Sequence, residues 1–168
     1  NTQGLAVTIN ASKLEVPSSS ATPISILVKS ILQYASNIEE AEKIAASFKT
    51  FVCESILVGS ANDGRAVIIE KTPSAMDVYS TGLSSSYKMD SSLGEAVESC
   101  RQGVASSTAS RVSSLNEASA VNRVICTNHY QSDRFRDDPV NVENIRVSDS
   151  GYRYRRVQQL LDSLGTID

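Results

Sequence analysis

Hydrophobic and polar positions along the first half of the chain follow two periods. Leu5, Val7 and Ile9 alternate with Ala6, Thr8 and Asn10, which predicts a strand over the run Gly4 to Asn10 with Asn10 on the face opposite Leu5. Ile24, Leu27, Val28, Ile31 and Leu32 recur at helical spacing, and Pro23 suits the first turn of that helix. Ser36-Asn37-Ile38-Glu39 reads as a capping box, followed by an amphipathic helix carried by Ile38, Ala41, Ile44, Ala45 and Phe48. The period then returns to that of strands. The runs Glu54 to Ser60 and Arg65 to Lys71 flank Asn62-Asp63-Gly64, residues that tolerate the left-handed backbone of a hairpin tip. Ile56, Leu57 and Val58, like Val67, Ile68 and Ile69, are apolar on both strand faces, which predicts a sheet covered on both sides in a layered sandwich of helices and strands.

The second half is less regular. From Ser80 to Ser119 the chain is Ser-rich with little periodicity and reads as a loop or lid within one domain spanning residues 1–168. Val121 to Asn128 reads as a strand and Tyr152 to Leu164 as a helix. On that helix Val157, Leu160, Leu161 and Leu164 form the stripe expected to be buried, with Arg153 on the same stripe and Arg155 facing away. An arginine on the core side must be paired or line a cleft, because an unpaired buried guanidinium is too costly.

Composition narrows the function. The 168 residues carry a net charge of 16 − 19 = −3, and the six arginines between Arg134 and Arg156 are interleaved with acidic residues. That pattern describes a solvated mixed-charge surface and gives no reason to bind nucleic acid. No apolar run approaches the roughly 20 residues of a membrane-spanning helix, and no glycine-rich phosphate or dinucleotide motif occurs. The expected partner is a small molecule or protein, a homo-oligomer included. Cys53, Cys100 and Cys126 are too widely spaced, and with His129 as the sole histidine too poorly accompanied, for a metal site, so neither metal nor cofactor is expected. Nothing at the start has the order of a signal peptide, but the first residue is Asn1, so a leader removed before it is compatible with the sequence and the compartment is left open between cytoplasmic and exported.

Candidate chemistry therefore rests on few residues. On a strand Cys126 and His129 point to opposite faces, so they do not form a ready nucleophile–base dyad, and Cys126 reads as a buried, unpaired core thiol. Asn128 just past the apolar run and Asn10 at the end of the first strand are placed to reach a cleft mouth, where an amide can donate to an oxyanion, although each equally suits a turn or strand cap. Arg153 is open between a structural ion pair and a site role.

Several of these residues also resemble a known family in their order along the chain. Asn1-Thr2-Gln3-Gly4-Leu5-Ala6-Val7 with Asn10, Pro23 with Ile31-Leu32, Glu39-Glu40-Ala41, Gly64 with Ile69-Glu70, Cys126-Thr127-Asn128-His129, and Ser150 with Arg153 and Arg156 resemble the penicillin acyltransferase-like and choloylglycine hydrolase group of N-terminal nucleophile hydrolases. The resemblance implies an α+β fold, a four-layer αββα sandwich that this chain alone leaves incomplete. It implies an amide hydrolase or acyltransferase in which a cysteine freed by self-cleavage attacks a linear N-acyl amide through a thioester. The cysteine's own α-amine, with a pKa near roughly 8, serves as base and makes a histidine unnecessary. It places Asn10 and Asn128 around the reacting carbonyl and Arg153 beside the cysteine.

The chain opens with no cysteine, so the resemblance implies that the nucleophile lies on an upstream segment or companion chain, this chain corresponding to the later part of the catalytic polypeptide. A Thr2 nucleophile is disfavoured because Thr2 lies inside an interior motif of the family. The alternative, a non-catalytic α/β ligand-binding or interaction protein in which Asn10, Asn128 and Arg153 are structural, stays open at this level.

Overall fold

The computed structural model describes residues 1–18, 20–80 and 123–164, and the backbone of 83–88. Five strands, β1 (Leu5–Ala11), β2 (Glu54–Ser60), β3 (Arg65–Lys71), β4 (Ala75–Ser80) and β5 (Leu83–Lys88), pair antiparallel in chain order. Helices α1 (Ile24–Tyr34) and α2 (Ile38–Ser47) connect β1 to β2, and α3 (Pro139–Val147) and α4 (Ser150–Leu164) follow the sheet.

One face of the sheet is apolar and carries the first two helices. Leu27, Ile31, Ile38 and Ala41 of α1 and α2 close over Ile56, Val58, Val67 and Ile69, all fully buried. Each large aliphatic side chain so buried contributes about 1.5–3 kcal/mol. The register gives the other face its character: Asn10 lies opposite Ser55, Ser55 opposite Glu70, and Glu70 opposite Asp77, so one polar row crosses four strands. Ile68, on the same face, is fully buried, as are Ser55, Glu70 and Asp77, so this side is covered over β2 to β4, while Ala6 and Thr8 of β1 are exposed.

The hairpin does more than turn the chain. Gly64 takes φ +60° at its tip, Asp63 accepts the Ile38 amide at 2.8 Å, and Asn62 donates to the carbonyls of Gln3 and Ser36. The β2–β3 tip thereby caps α2 from outside the helix and ties it to β1.

The remaining sequence expectations need correction in four places. The capping box of α2 is one residue later than expected: Asn37 accepts from the Glu40 amide at 2.9 Å and the Glu40 carboxylate accepts from the Ser36 amide at 2.7 Å, while Glu39 pairs with Lys43. No strand forms over residues 123–128 among the described residues, because the run finds no strand ladder and its polar groups bond to side chains instead. The stripe on α4 is largely exposed, with Val157, Leu160 and Leu164 at 39%, 43% and 64% exposure, while Leu161 is partly covered beside Ile125 and Tyr79. The Ser-rich stretch 80–119 opens with β5, whose backbone pairs with β4; the rest of it, with Cys100, lies outside the described residues. Among the described residues the fold is α+β with one antiparallel sheet.

Candidate active site

Thr127, Asn128 and His129 sit where the chain crosses the C-terminal end of β1, and their side chains alternate. Thr127 and His129 turn inward onto Ser150, the first residue of α4. The His129 Nδ1 lies 2.8 Å from the Ser150 hydroxyl and 3.0 Å from that of Thr127, and the Asn128 amide donates to Ser150 at 2.9 Å. Tyr154, one helical turn on, meets the His129 ring edge-on with centroids 5.6 Å apart. Burial, and then the charge of Arg153, lowers the His129 pKa, so the ring is neutral at pH 7. His129 is thus engaged with Thr127 and Ser150, and no hydrogen bond joins it to Cys126.

Asn128 turns the other way. Its Nδ2 donates to the Ala11 carbonyl at 2.8 Å, its Oδ1 accepts from Arg153 at 2.8 Å, and its backbone carbonyl accepts from Asn144 of α3 at 2.8 Å. Arg153 also pairs with Asp149 at 3.1 Å and is half-exposed, so it is a paired surface residue and not a core arginine. Asn10 reaches the same corner from β1, donating to the Cys126 thiol at 3.2 Å. The structure thus links Asn128 and Arg153 directly, with Asn10 beside them through the neighbouring residues Ala11 and Cys126.

Cys126 is free and partly buried. Burial pushes its thiol up to about 11, the Asn10 hydrogen bond acts in the opposite direction, and the nearby Glu70 adds to the rise. A thiol so shifted is almost entirely protonated at pH 7 and is a poor nucleophile. Cys53 is buried with Ala75, Tyr130 and Phe135, and its sulfur accepts the Glu15 amide at 3.2 Å.

Beneath this corner lies the polar row. Glu70 is fully buried and accepts the backbone amides of Gln131 and Ser132 at 2.5 and 3.1 Å. Burial raises its pKa to about 7 against the pull of these bonds, and Asp77 opposite adds to the rise. The Ser132 hydroxyl lies beside both carboxyls yet makes no hydrogen bond of good geometry. Further along the same face, Tyr79, Ile125, Tyr154 and Leu161 line a cleft of about 410 Å³ with the Arg123–Asp162 ion pair at its rim. No group of three or more His, Cys, Asp or Glu residues is arranged to hold a metal among the described residues.

Glu70 and Ser150 have a place in the family motifs read from the sequence but no role there, and Asn141 and Asn144 have neither. Glu70 carried a signal: a charge ending an apolar run predicted to be covered on both faces must find partners in the interior. The asparagines of α3 gave none, because that helix has no apolar stripe and announces itself only through the Asp138-Pro139 start.

The profile of one protein family spans this whole arrangement, matching residues 1–166. It is a family of N-terminal nucleophile hydrolases, the class with which the antiparallel sheet and helices are compatible. The family is that of acyl-coenzyme A:6-aminopenicillanic acid acyl-transferase, and the chain belongs to it. The family points to an enzyme of acyl transfer or amide hydrolysis. No curated protein and no solved structure matches the chain.

Proposed function

We propose that this chain supplies the carbonyl-activating half of a cysteine amide hydrolase or acyltransferase acting on a linear N-acyl bond of a small molecule, within a four-layer αββα sandwich completed by further polypeptide. The nucleophilic cysteine comes from a segment outside this sequence. Its thiol passes a proton to its own α-amine and attacks the amide carbonyl. The oxyanion collapses, expelling the amine, which takes up the proton, and leaving a thioester. Water or an acceptor amine then takes the acyl group and restores the thiol.

The observation that carries this reading is the fixing of Asn128. Its carboxamide nitrogen has two hydrogens, one of which goes to the Ala11 carbonyl, so the second is available to a substrate oxygen in a direction set by Arg153. Asn10 contributes a second amide at the same corner, where the partly exposed Cys126 thiol now accepts from it. The protonated state of that thiol argues against an in-chain nucleophile at this place. Among the described residues β1 is an edge strand with Ile9 exposed, and Val157, Leu160 and Leu164 of α4 are exposed; both offer surfaces for the further segment.

The experiment is turnover of a chromogenic N-acyl amide by the complete polypeptide, with mass mapping of the acyl adduct trapped on acid quench. An adduct on a cysteine outside this sequence supports the reading. An adduct on Cys126, or turnover unaffected by Asn128→Ala, overturns it.

A further inference from the structure

We propose that Glu70 is a positioning residue for this site, holding Asn128 in place through the backbone of Gln131 and Ser132. The inference rests on the reading of Asn128 as an oxyanion donor.

The segment 125–132 is a loop with Thr127-Asn128-His129 at its tip. Its two legs are cinched together by Gln131, whose Nε2 donates to the Ile125 carbonyl at 2.8 Å. The base of the loop is fastened to the sheet by the Glu70 carboxyl, whose two oxygens take the amides of two successive residues. Tyr130, between Asn128 and those amides, is held on both sides: Asn141 bonds its backbone amide and carbonyl, each at 3.0 Å, and its hydroxyl donates to the Lys71 carbonyl, next to Glu70, at 2.6 Å. Glu70 and Asn10 belong to the same cross-strand row, with Ser55 between them. One rigid sheet therefore locates both asparagines.

The chemistry of the position supports this role. A carboxyl fully buried opposite a second acidic residue is a costly way to fill the middle of a sheet, and Ile68, two residues earlier on the same face, shows that an apolar side chain fits there. What an apolar residue cannot do is accept two adjacent backbone amides. A site group held by such a support loses activity when the support is altered, even though the support never touches substrate.

The test uses the complete enzyme and the same N-acyl amide. Glu70→Gln keeps the shape but turns an amide N–H against a backbone N–H. The expected result is a fall in kcat of about 10- to 100-fold with KM within about twofold, while alkylation of the nucleophilic thiol by iodoacetamide keeps its wild-type rate. Glu70→Asp, which retains two acceptor oxygens, is expected to recover part of kcat. Ile69→Val, next to it but on the helix-covered face, is expected to lower stability without changing kcat, which separates positioning from general destabilisation. A folded Glu70→Gln enzyme with kcat within about threefold of wild type overturns the proposal, as does a slowed alkylation that accounts for the whole loss. If Glu70→Gln does not fold, Glu70→Asp decides: reduced kcat at unchanged KM supports the role, and wild-type kcat overturns it. Asn128→Ala separates the two readings, because wild-type turnover there removes the functional reading itself, whereas an inactive Asn128→Ala beside an active Glu70→Gln removes only this inference.

Discussion

Arg153 donates to the Oδ1 of Asn128 at 2.8 Å, and this bond, with the one from Nδ2 to the Ala11 carbonyl, decides which end of the amide faces the sheet. The Ala11 carbonyl accepts only from nitrogen and the guanidinium donates only to oxygen, so a flipped Asn128 would lose both bonds. Arg153 thus acts on the donor geometry of the neighbouring amide.

Replacing Arg153 by Met is therefore expected to lower kcat by about 10- to 100-fold through a mis-set amide, with little cost to folding. Its other partner, Asp149, lies in an exposed ion pair, a kind worth no more than about 1 kcal/mol. Steady-state kinetics alongside thermal unfolding checks this. A large loss of melting temperature would show instead that Arg153 serves the fold.

Asn128→Asp probes the same geometry from the other side. An aspartate still accepts from Arg153 but cannot donate to Ala11 or to a developing oxyanion. The expected loss is on the order of 100-fold or more in kcat, close to that of Asn128→Ala, with the substrate KM little changed. Retention of activity in Asn128→Asp would mean that charge, and not donation, is what the position supplies.

The legibility of the chain divides along the range of its interactions. Strands β2 and β3 and both early helices were readable because their determinants are local: the apolar period and the Asn62-Asp63-Gly64 tip act within a few residues of one another. The shifted capping box shows the limit of that reading, since Ser36 and Asn37 both fit the pattern and the choice depends on Asp63, which takes the Ile38 amide from another element. Residues 123–128 look like a strand because Val124, Ile125 and Cys126 are apolar, yet a strand needs a ladder partner, and sequence periodicity does not report one. Asn10, Asn128 and Arg153 were singled out by their places at element ends and by family resemblance. Of their supports, Glu70 and Ser150 lay in the motifs that carry the resemblance but without a role, and Asn141 and Asn144 in none, because each acts on backbone groups distant in sequence or across a turn.

Cys126 gives a chemical prediction. With its thiol pushed up to about 11, only about one molecule in a thousand is thiolate at pH 8, so native-state labelling by a maleimide should be far slower than that of an ordinary cysteine of pKa near 8.5. Asn10→Ala removes a bond that favours the thiolate and should slow the labelling further per accessible thiol. Cys126→Ser should fold and retain turnover. Rapid labelling of wild-type protein at this position, or an inactive but folded Cys126→Ser, would return Cys126 to the list of nucleophile candidates.

The Asp63 cap tests how far the fold depends on the hairpin tip. Asp63→Ala leaves the first amide of α2 without its partner and should cost about 1 kcal/mol, as loss of a helix cap does. Asp63→Asn should recover most of that, since the amide oxygen can still accept. Denaturant unfolding of the three proteins gives the comparison, and an Asp63→Ala protein as stable as wild type would show that water replaces the bond.

Glu70 makes a prediction about pH whose sign can be worked out. Its pKa is raised from 4.5 to about 7 in the folded state, so the native protein binds this proton more tightly than the unfolded chain. The resulting stability is fully present below about pH 4.5 and is lost as pH rises through 7, a total on the order of 3 kcal/mol for a shift of that size. Other groups act in neighbouring windows: the lowered His129 favours folding as pH rises below its usual 6.5, and Lys71, lowered to about 8, acts between there and 10.5. The clean measurement is therefore the difference in unfolding free energy between wild type and Glu70→Gln, in which those contributions cancel. Gln cannot titrate, so any fixed cost of its mismatched amide only offsets the curve. The advantage of wild type over the variant should shrink steadily from pH 5 to 7.5 and then level off. A difference that is flat over that range would mean that burial does not raise the Glu70 pKa in the folded protein. A difference that grows with pH below about 4.5 and is flat above it would mean that the two backbone amides of Gln131 and Ser132 outweigh burial and hold the carboxylate charged.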